Sequence, residues 1–132
     1  MKKLIKGTHH AAIKCHGLQQ FRQCVAFYHD LLGLEILRTW GEGEASGAML
    51  NTGNSLIEIF ANAQQPMPKG VWPHIALETD NVDECIAIVR EVGYPVIVEP
   101  KNIVIGSQPP FPARIAFCKG AAGEEIEFFC EK

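Results

Sequence analysis

The sequence repeats itself, because two short segments of its first half reappear in the same order in its second half. His10-Ala-Ala-Ile-Lys14 is similar to His74-Ile-Ala-Leu-Glu78, and Leu56-Ile-Glu-Ile-Phe60 is similar to Glu125-Ile-Glu-Phe-Phe129. In each copy a histidine segment comes first and a glutamate segment comes last. The duplication therefore predicts two similar modules of about 60 residues, each close to the lower size limit of a domain that is stable alone.

One amphipathic helix is predicted between the two segments of each module. The first helix stops at Gly33 and the second at Gly93, since glycine is the favoured residue just beyond a helix. Asn81 and Glu84 form a candidate capping pair at the start of the second helix. The apolar residues at helical spacing are Phe21, Cys24, Val25, Tyr28, Leu31 and Leu32 in module one and Val82, Cys85, Ile86, Val89 and Val92 in module two.

Three strand candidates follow each helix, so each module is predicted to have βαβββ order and the fold class to be α+β. The strands are residues 34–40, 47–51 and 55–61 in module one and 95–98, 114–118 and 124–130 in module two. We predict one domain over residues 1–132, with module one at about 7–62 and module two at about 71–131. Residues 101–113 contain three prolines and are predicted to form a longer loop, a candidate substrate lid.

Composition and charge narrow the class of partner. The net charge is -3 and no basic cluster follows Lys3, so neither nucleic acid nor an anionic membrane is expected. The chain has no apolar run of membrane-spanning length and no apolar signal stretch after its first lysines, which favours a soluble protein. Its five cysteines form no Cys-x-x-Cys pair, which fits a reducing, cytoplasmic compartment. A small-molecule substrate is the expected partner.

A candidate metal site follows from strand periodicity. The helix of each module covers only one face of its four-stranded sheet. The uncovered faces of two modules, from one chain or from two chains, would together enclose a cleft. Residues two apart in a strand share a face. His10 and Glu58 in module one, and His74 and Glu127 in module two, are therefore predicted on the faces away from the helices. Two imidazoles and two carboxylates suit a divalent metal ion.

Other chemistry-bearing residues are predicted to have lesser roles. The unduplicated histidines are predicted at the surface or at strand ends: His9, His16 and His29. A register slip of one residue would exchange His9 with His10. Trp40 and Trp72 are candidates for the cleft wall or for ordinary packing. The acidic residues predicted to form a solvated helix face are Asp83, Glu84 and Glu91.

With these residues the sequence resembles the glyoxalase I-type members of the vicinal oxygen chelate superfamily, from His10 to Glu127. The motifs that carry the resemblance are residues 10–14, 26–34, 56–60, 73–77 and 123–127. It implies a curved mixed sheet of paired βαβββ modules around one divalent metal. The implied ligands, one from each of four strands, are His10, Glu58, His74 and Glu127. Small bacterial members form the site across a homodimer interface, so a homodimer is implied as well.

The resemblance also implies an activity, that of a metal-dependent isomerase or lyase. Its substrate would be the hemithioacetal of a 2-oxoaldehyde with glutathione or another low-molecular-weight thiol, and a proton would move through a metal-bound enediolate. Glu127 is the expected principal base, and Glu58 a ligand and second base. Nickel, cobalt or zinc is the expected metal. Candidate substrate-binding residues are Lys14, where glutathione-using members have arginine, and Asn62, which matches their asparagine. Arg114, a third candidate, follows a proline-rich segment that does not match the family pattern.

Two alternatives remain open. Ring-cleaving dioxygenases and fosfomycin-type thiol transferases resemble this pattern but use two histidines and one glutamate, so Glu58 would lie away from the metal. A metal-free binding or resistance protein would leave the four residues dispersed or bonded to neighbours. Methylmalonyl-CoA epimerases have glutamine in the place of Glu58, and the glutamate found here favours the glyoxalase pattern.

Overall fold

The structure is a computed structural model that describes residues 4, 8–71, 74–107 and 109–132. The chain divides into two compact units, Met1–Pro66 and Met67–Lys132. Each unit has one four-stranded sheet, and a helix packs against it. Two mixed sheets with few helices confirm the predicted α+β class.

Unit 1 has the predicted βαβββ order. Its strands are β1 (His10–Lys14), β2 (Glu35–Trp40), β3 (Gly47–Asn51) and β4 (Leu56–Phe60), and its helix is α1 (Gly17–Ala26), which continues as a π-helical turn, Phe27–Leu31. The sheet order is β1-β4-β3-β2. Strand β1 runs parallel to β4, and the other neighbours are antiparallel.

Unit 2 repeats this topology. Its elements are β5 (Ile75–Glu78), α2 (Val82–Val92), β6 (Val96–Ile105), β7 (Phe111–Lys119) and β8 (Glu125–Glu131). The sheet order is β5-β8-β7-β6, with β5 parallel to β8. In both sheets the histidine-bearing segment therefore leads into an outer strand that lies beside the glutamate-bearing strand.

Both helical segments end as the sequence predicts. Gly33 and Gly93 have φ angles of 80° and 97°, in the left-handed region that strains other residues. Nδ1 of His29 lies 2.7 Å from the carbonyl oxygen of Leu34, so this histidine closes the end of the π-helical turn. At the start of α2, the Asn81 side chain accepts a hydrogen bond from the Glu84 backbone N–H at 3.0 Å. Its amide in turn donates to the Glu84 carboxylate at 3.2 Å, which confirms the capping pair.

The core of each unit lies between the helix and one sheet face. The buried strand residues alternate along the strands as the periodicity predicts: Ile13, Ile57 and Ile59 in unit 1, and Ile126 and Phe128 in unit 2. The helical segments contribute Phe21, Cys24, Phe27 and Tyr28, and Val82, Ile86 and Val89. Val92, the last residue of the predicted apolar stripe, is instead exposed. His10 and Glu58 lie on the opposite face of the sheet in unit 1, and His74 and Glu127 lie on the opposite face of the sheet in unit 2.

The five cysteines lie in described parts of the chain, and none forms a disulfide. Burial, and then the Glu124 carboxylate and the Cys85 thiol, raise the pKa of Cys118 to about 12. Cys118 is therefore a thiol at neutral pH and not a nucleophile. Within the described ranges neither helix has the length and apolar character of a membrane span.

The prediction of a long loop over residues 101–113 is wrong, and so is the prediction that this loop forms a substrate lid. Strand β6 extends to Ile105 and β7 begins at Phe111, and the two pair from Lys101↔Ile115 to Ile105↔Phe111. Prolines favour loops in a sequence, but Pro112 lies at the second position of β7, where its carbonyl accepts from the Lys132 N–H at 3.0 Å. A proline near the end of a strand removes few of the hydrogen bonds between the paired strands.

Candidate functional site

In unit 1 the sheet register brings His10 beside Glu58. Ala12 lies opposite Glu58 in the parallel β1–β4 pair, and His10 shares the face of Ala12 because it is two residues away. Nε2 of His10 is 3.5 Å from Oε1 of Glu58. The side chain of Ala12 is a single methyl group, so it leaves room for the imidazole above the ladder.

Unit 2 holds the same pair in the same register. His74 directly precedes β5, and Ala76 lies opposite Glu127 in the parallel β5–β8 pair. Nε2 of His74 is 3.6 Å from Oε1 of Glu127. The sequence His-x-Ala, with the alanine facing a glutamate across parallel strands, thus builds two equivalent His–Glu pairs.

Both carboxylates lie in apolar surroundings. The side chains of Glu58 and Glu127 are each 13% exposed, whereas the two imidazoles are 37% and 45% exposed. The antiparallel neighbour of Glu127 is Phe117, whose ring makes an edge contact with His74 at 5.5 Å between centroids. Burial raises the pKa of the Glu127 carboxyl, and the charge of His74 opposes this. The Glu127 carboxylate therefore binds a proton or a cation more readily than a carboxylate in water does.

Each pair fits two ligand positions of a divalent metal. Two donors at about 2.1 Å from one ion are about 3.0 Å apart at a right angle and about 3.4 Å apart at the tetrahedral angle. The observed separations are 3.5 and 3.6 Å. In the part of the chain that the structure describes, no three or more His, Cys, Asp or Glu side chains are arranged to hold a metal ion. Each unit thus presents one His–Glu pair with the chemistry and spacing of two metal ligands, which we call a half-site.

An aromatic surface lies on the same sheet face as Glu58. The Trp40 and Phe60 rings make an edge contact at 5.9 Å between centroids. Trp40 pairs with Gly47, and a Cβ atom at Gly47 would lie 2.2 Å from the indole, so only glycine lets the ring lie over β3. Because Phe60 is two residues from Glu58, this apolar surface adjoins the half-site. The other predicted wall residue, Trp72, lies outside the described residues, as does Pro73.

Lys14 and Asn62, two of the predicted substrate-binding residues, are both exposed. Lys14 ends β1 opposite Phe60, and by strand alternation it lies on the same face as His10. Asn62 follows β4 by two residues and forms an isolated bridge with His16. Lys14 thus places a cationic group on the face that carries the first half-site.

Arg114, the third predicted substrate-binding residue, lies on the other face of its sheet. Phe117 pairs with Glu127, so Arg114 faces the helix side. Its guanidinium donates to both oxygens of Asp83 in α2, at 2.6 and 2.7 Å, and to Asn102 at 3.1 Å. Hydrogen bonding to Arg114 lowers the pKa of the Asp83 carboxyl. The structure therefore gives Arg114 a partner in α2, and Asp83 is not only part of a solvated helix face.

The Asp83–Arg114 pair predicts a pH-dependent contribution to stability. A carboxyl with a lowered folded pKa contributes stability above its unfolded pKa of about 3.9, and this is lost as pH falls through the folded value. Asp83→Asn is therefore expected to lower the urea midpoint at pH 7 and to have a smaller effect near pH 3. Glu91→Gln, an exposed change on the same helix, is the control. An equal effect of Asp83→Asn at both pH values would contradict this prediction.

His9 is exposed directly before β1, as the sequence predicts, and it also contacts a member of the first half-site. Its Nδ1 lies 2.9 Å from Nδ1 of His10, and the two rings meet edge to face at 5.1 Å between centroids. The available signal was the adjacency of two histidines at the start of a strand. Duplication could not reveal it, because module two has Pro73 at the equivalent position.

The comparisons with known proteins agree with this architecture. The model of the glyoxalase/bleomycin resistance protein/dioxygenase superfamily matches residues 17–128. A glyoxalase family protein from Enterococcus faecalis is similar in structure, with a TM-score of 0.70, 22% identity and coverage of 96% of this chain and 99% of that one. The trypanothione-dependent glyoxalase I of Leishmania major has a TM-score of 0.63 and 21% identity, with coverage of 92% and 84%.

A third similar structure is a glyoxalase/bleomycin resistance protein/dioxygenase from Alicyclobacillus acidocaldarius, with a TM-score of 0.65, 15% identity and coverage of 96% and 92%. No curated protein sequence matches the chain significantly. At these identities the structural likeness shows the fold, while the family model covers most of the chain. The chain belongs to the glyoxalase/bleomycin resistance protein/dioxygenase superfamily.

Proposed function

We propose that this protein is a metal-dependent isomerase or lyase of the glyoxalase I type. The observation that carries the proposal is the pair of equivalent His–Glu half-sites, with Nε2–Oε1 separations of 3.5 and 3.6 Å. The proposed ligands of one nickel, cobalt or zinc ion are His10, Glu58, His74 and Glu127. The position of Glu58 beside His10 favours this four-ligand set over the three-ligand set of the dioxygenases and thiol transferases.

The proposed substrate is the hemithioacetal of a 2-oxoaldehyde and a thiol such as glutathione. The bound ion would supply Lewis-acid stabilisation of the negative charge that develops on the substrate oxygens. Glu127 removes the proton from the thiol-bearing carbon and returns it to the neighbouring carbon, which gives a 2-hydroxyacyl thioester. A carboxyl with a raised pKa holds the abstracted proton more readily, which supports Glu127 as the base.

Further residues bind and surround the substrate in this proposal. Lys14 and Asn62 bind the polar end of the thiol, and the aromatic surface of Trp40 and Phe60 excludes water beside the reacting carbons. In the proposed homodimer, the His10–Glu58 half-site of one chain and the His74–Glu127 half-site of the other form one complete metal site. The reduced thiol that the reaction consumes matches the cytoplasmic compartment that the cysteine pattern predicts.

Metal loading followed by a turnover assay tests the proposed function. We expect chelator-treated protein to be inactive, and protein reloaded with nickel, cobalt or zinc to form the lactoyl thioester from methylglyoxal with glutathione or bacillithiol. Metal stoichiometry and oligomeric state are measured on the same samples by elemental analysis and light scattering. Manganese- and iron-loaded samples serve as comparisons.

The outcomes separate the metal site from the activity. If the protein binds a metal but converts neither thiol adduct, the proposed glyoxalase activity is contradicted and the proposed metal site is not. Protein that binds no divalent metal after reloading would contradict the site itself. A monomer with full activity would contradict the homodimer alone.

A further inference from the structure

We propose that His9 is a positioning residue, which fixes the orientation and the tautomer of the His10 imidazole. The inference rests on the proposed function, because His10 is a ligand only if the half-site binds a metal. It gives a role to His9, one of the three histidines that the duplicated pattern does not include.

Each ring nitrogen of His10 lies near a different neighbour. Nδ1 lies 2.9 Å from Nδ1 of His9, and Nε2 lies 3.5 Å from Glu58. Rotation of the His10 ring would therefore move Nδ1 away from His9 and Nε2 away from Glu58. A hydrogen bond between two imidazole nitrogens requires that one carries the proton and the other accepts it.

The donor in this hydrogen bond follows from what a metal ligand needs. Nε2 of His10 can bind a cation only with a free lone pair, so the proton of the neutral ring must be on Nδ1. Nδ1–H of His10 then donates to Nδ1 of His9, which keeps its own proton on Nε2. With this assignment His9 stabilises the tautomer of His10 that is ready to bind. Partners of this kind are generally worth about 10- to 100-fold in metal affinity.

His9 is itself held in place by unit 1. The Ser55 hydroxyl lies 3.1 Å from the carbonyl oxygen of His9 and 3.2 Å from that of Thr8. The Ser55 backbone N–H donates to the Thr52 hydroxyl at 3.2 Å. Ser55 directly precedes β4, the strand that carries Glu58. The same turn therefore positions His9 and Glu58 on either side of His10.

The two half-sites orient their histidines differently. The residue before His74 is a proline in the sequence, which has no side-chain donor or acceptor. The His74 ring contacts the edge of Phe117 instead. A hydrogen bond directs the ring in one half-site and apolar packing in the other, so substitution of His9 should affect only the first.

Zinc titration of the full-length chelator-treated protein by calorimetry tests this inference. We expect His9→Ala to weaken zinc binding about 10-fold or more. His9→Asn places an amide oxygen close to the position of Nδ1, so it keeps an acceptor and should restore most of the affinity. His16→Ala, which removes a histidine that has no contact with His10, is the matched control. Circular dichroism establishes that each variant is folded.

Nitrogen-15 NMR of the imidazole groups distinguishes the acceptor role of His9 from a purely structural role. In zinc-loaded wild type and His9→Asn, the Nδ1–H of His10 should give a slowly exchanging resonance. In His9→Ala that proton should exchange rapidly with water, because its acceptor is lost.

Each result bears on a different claim. If His10→Ala binds zinc as tightly as wild type, or if wild type binds none, the proposed metal site fails and this inference fails with it. If His10→Ala loses binding while His9→Ala does not, only the role of His9 is overturned. If His9→Asn is as weak as His9→Ala, the acceptor role is wrong. A loss with His9→Ala that exceeds the loss with His10→Ala would make His9 itself the ligand.

Discussion

Glu127→Gln is expected to lower kcat/KM of the metal-loaded protein for the methylglyoxal–thiol adduct by about 10²- to 10⁴-fold, the usual worth of a general base. Glutamine keeps the shape and an oxygen ligand but has no carboxylate to hold the proton. The loss should therefore appear mainly in kcat, with KM changed little. Steady-state kinetics on protein of measured metal content checks this.

Two variants serve as controls for Glu127→Gln. Glu125→Gln removes a negative charge two residues away on the same face of β8, and it should stay near wild-type activity. Glu58→Gln removes the equivalent carboxylate of unit 1 and should cost less activity than Glu127→Gln. A larger loss with Glu58→Gln would place the principal base in unit 1, and full activity of Glu127→Gln would remove the base assignment altogether.

Phe128→Ala is expected to lower the free energy of unfolding by about 3 to 5 kcal/mol. Phe128 is 2% exposed and lies at the centre of its sheet, opposite Leu77 on one side and Ala116 on the other. Removing the ring leaves a cavity that strands fixed on both sides cannot fill. Urea unfolding at neutral pH measures the loss.

The next residue of β8 supplies the control for Phe128→Ala. Phe129 points to the opposite face, is partly exposed and meets Phe111 at 5.7 Å between ring centroids. Phe129→Ala should cost clearly less than Phe128→Ala. Equal losses would mean that the face carrying Phe129 is as closely packed as the helix-covered face.

Local pattern was enough to predict most of the fold. The alternation of Ile57 and Ile59 with Glu58 indicates which face is buried, because the side-chain period of a strand is two. Gly33 and Gly93 mark helix ends by a conformation that other residues avoid. The duplication then relates His10 to His74 and Glu58 to Glu127. In the structure each of these histidines lies beside its glutamate.

The features that the sequence did not reveal depend on contacts between distant residues. Arg114 bonds to Asp83, which lies 31 positions earlier, so local pattern around Arg114 cannot distinguish this partner from a substrate. The extension of β6 to Ile105 depends on pairing with β7, which outweighs the turn preference of the neighbouring prolines. The contact between His9 and His10 depends on how Ser55 holds the backbone before β1.

The irregular pairing of β6 has a consequence for how this protein behaves when concentrated. A ten-residue strand at the edge of a sheet exposes a row of backbone groups on which another chain could assemble. The register of β6 shifts twice between Val96 and Lys101, and Pro100, which has no N–H to donate, lies in that stretch. Glu99 beside it is paired with Arg90. The middle of the edge is thus a poor template for aggregation.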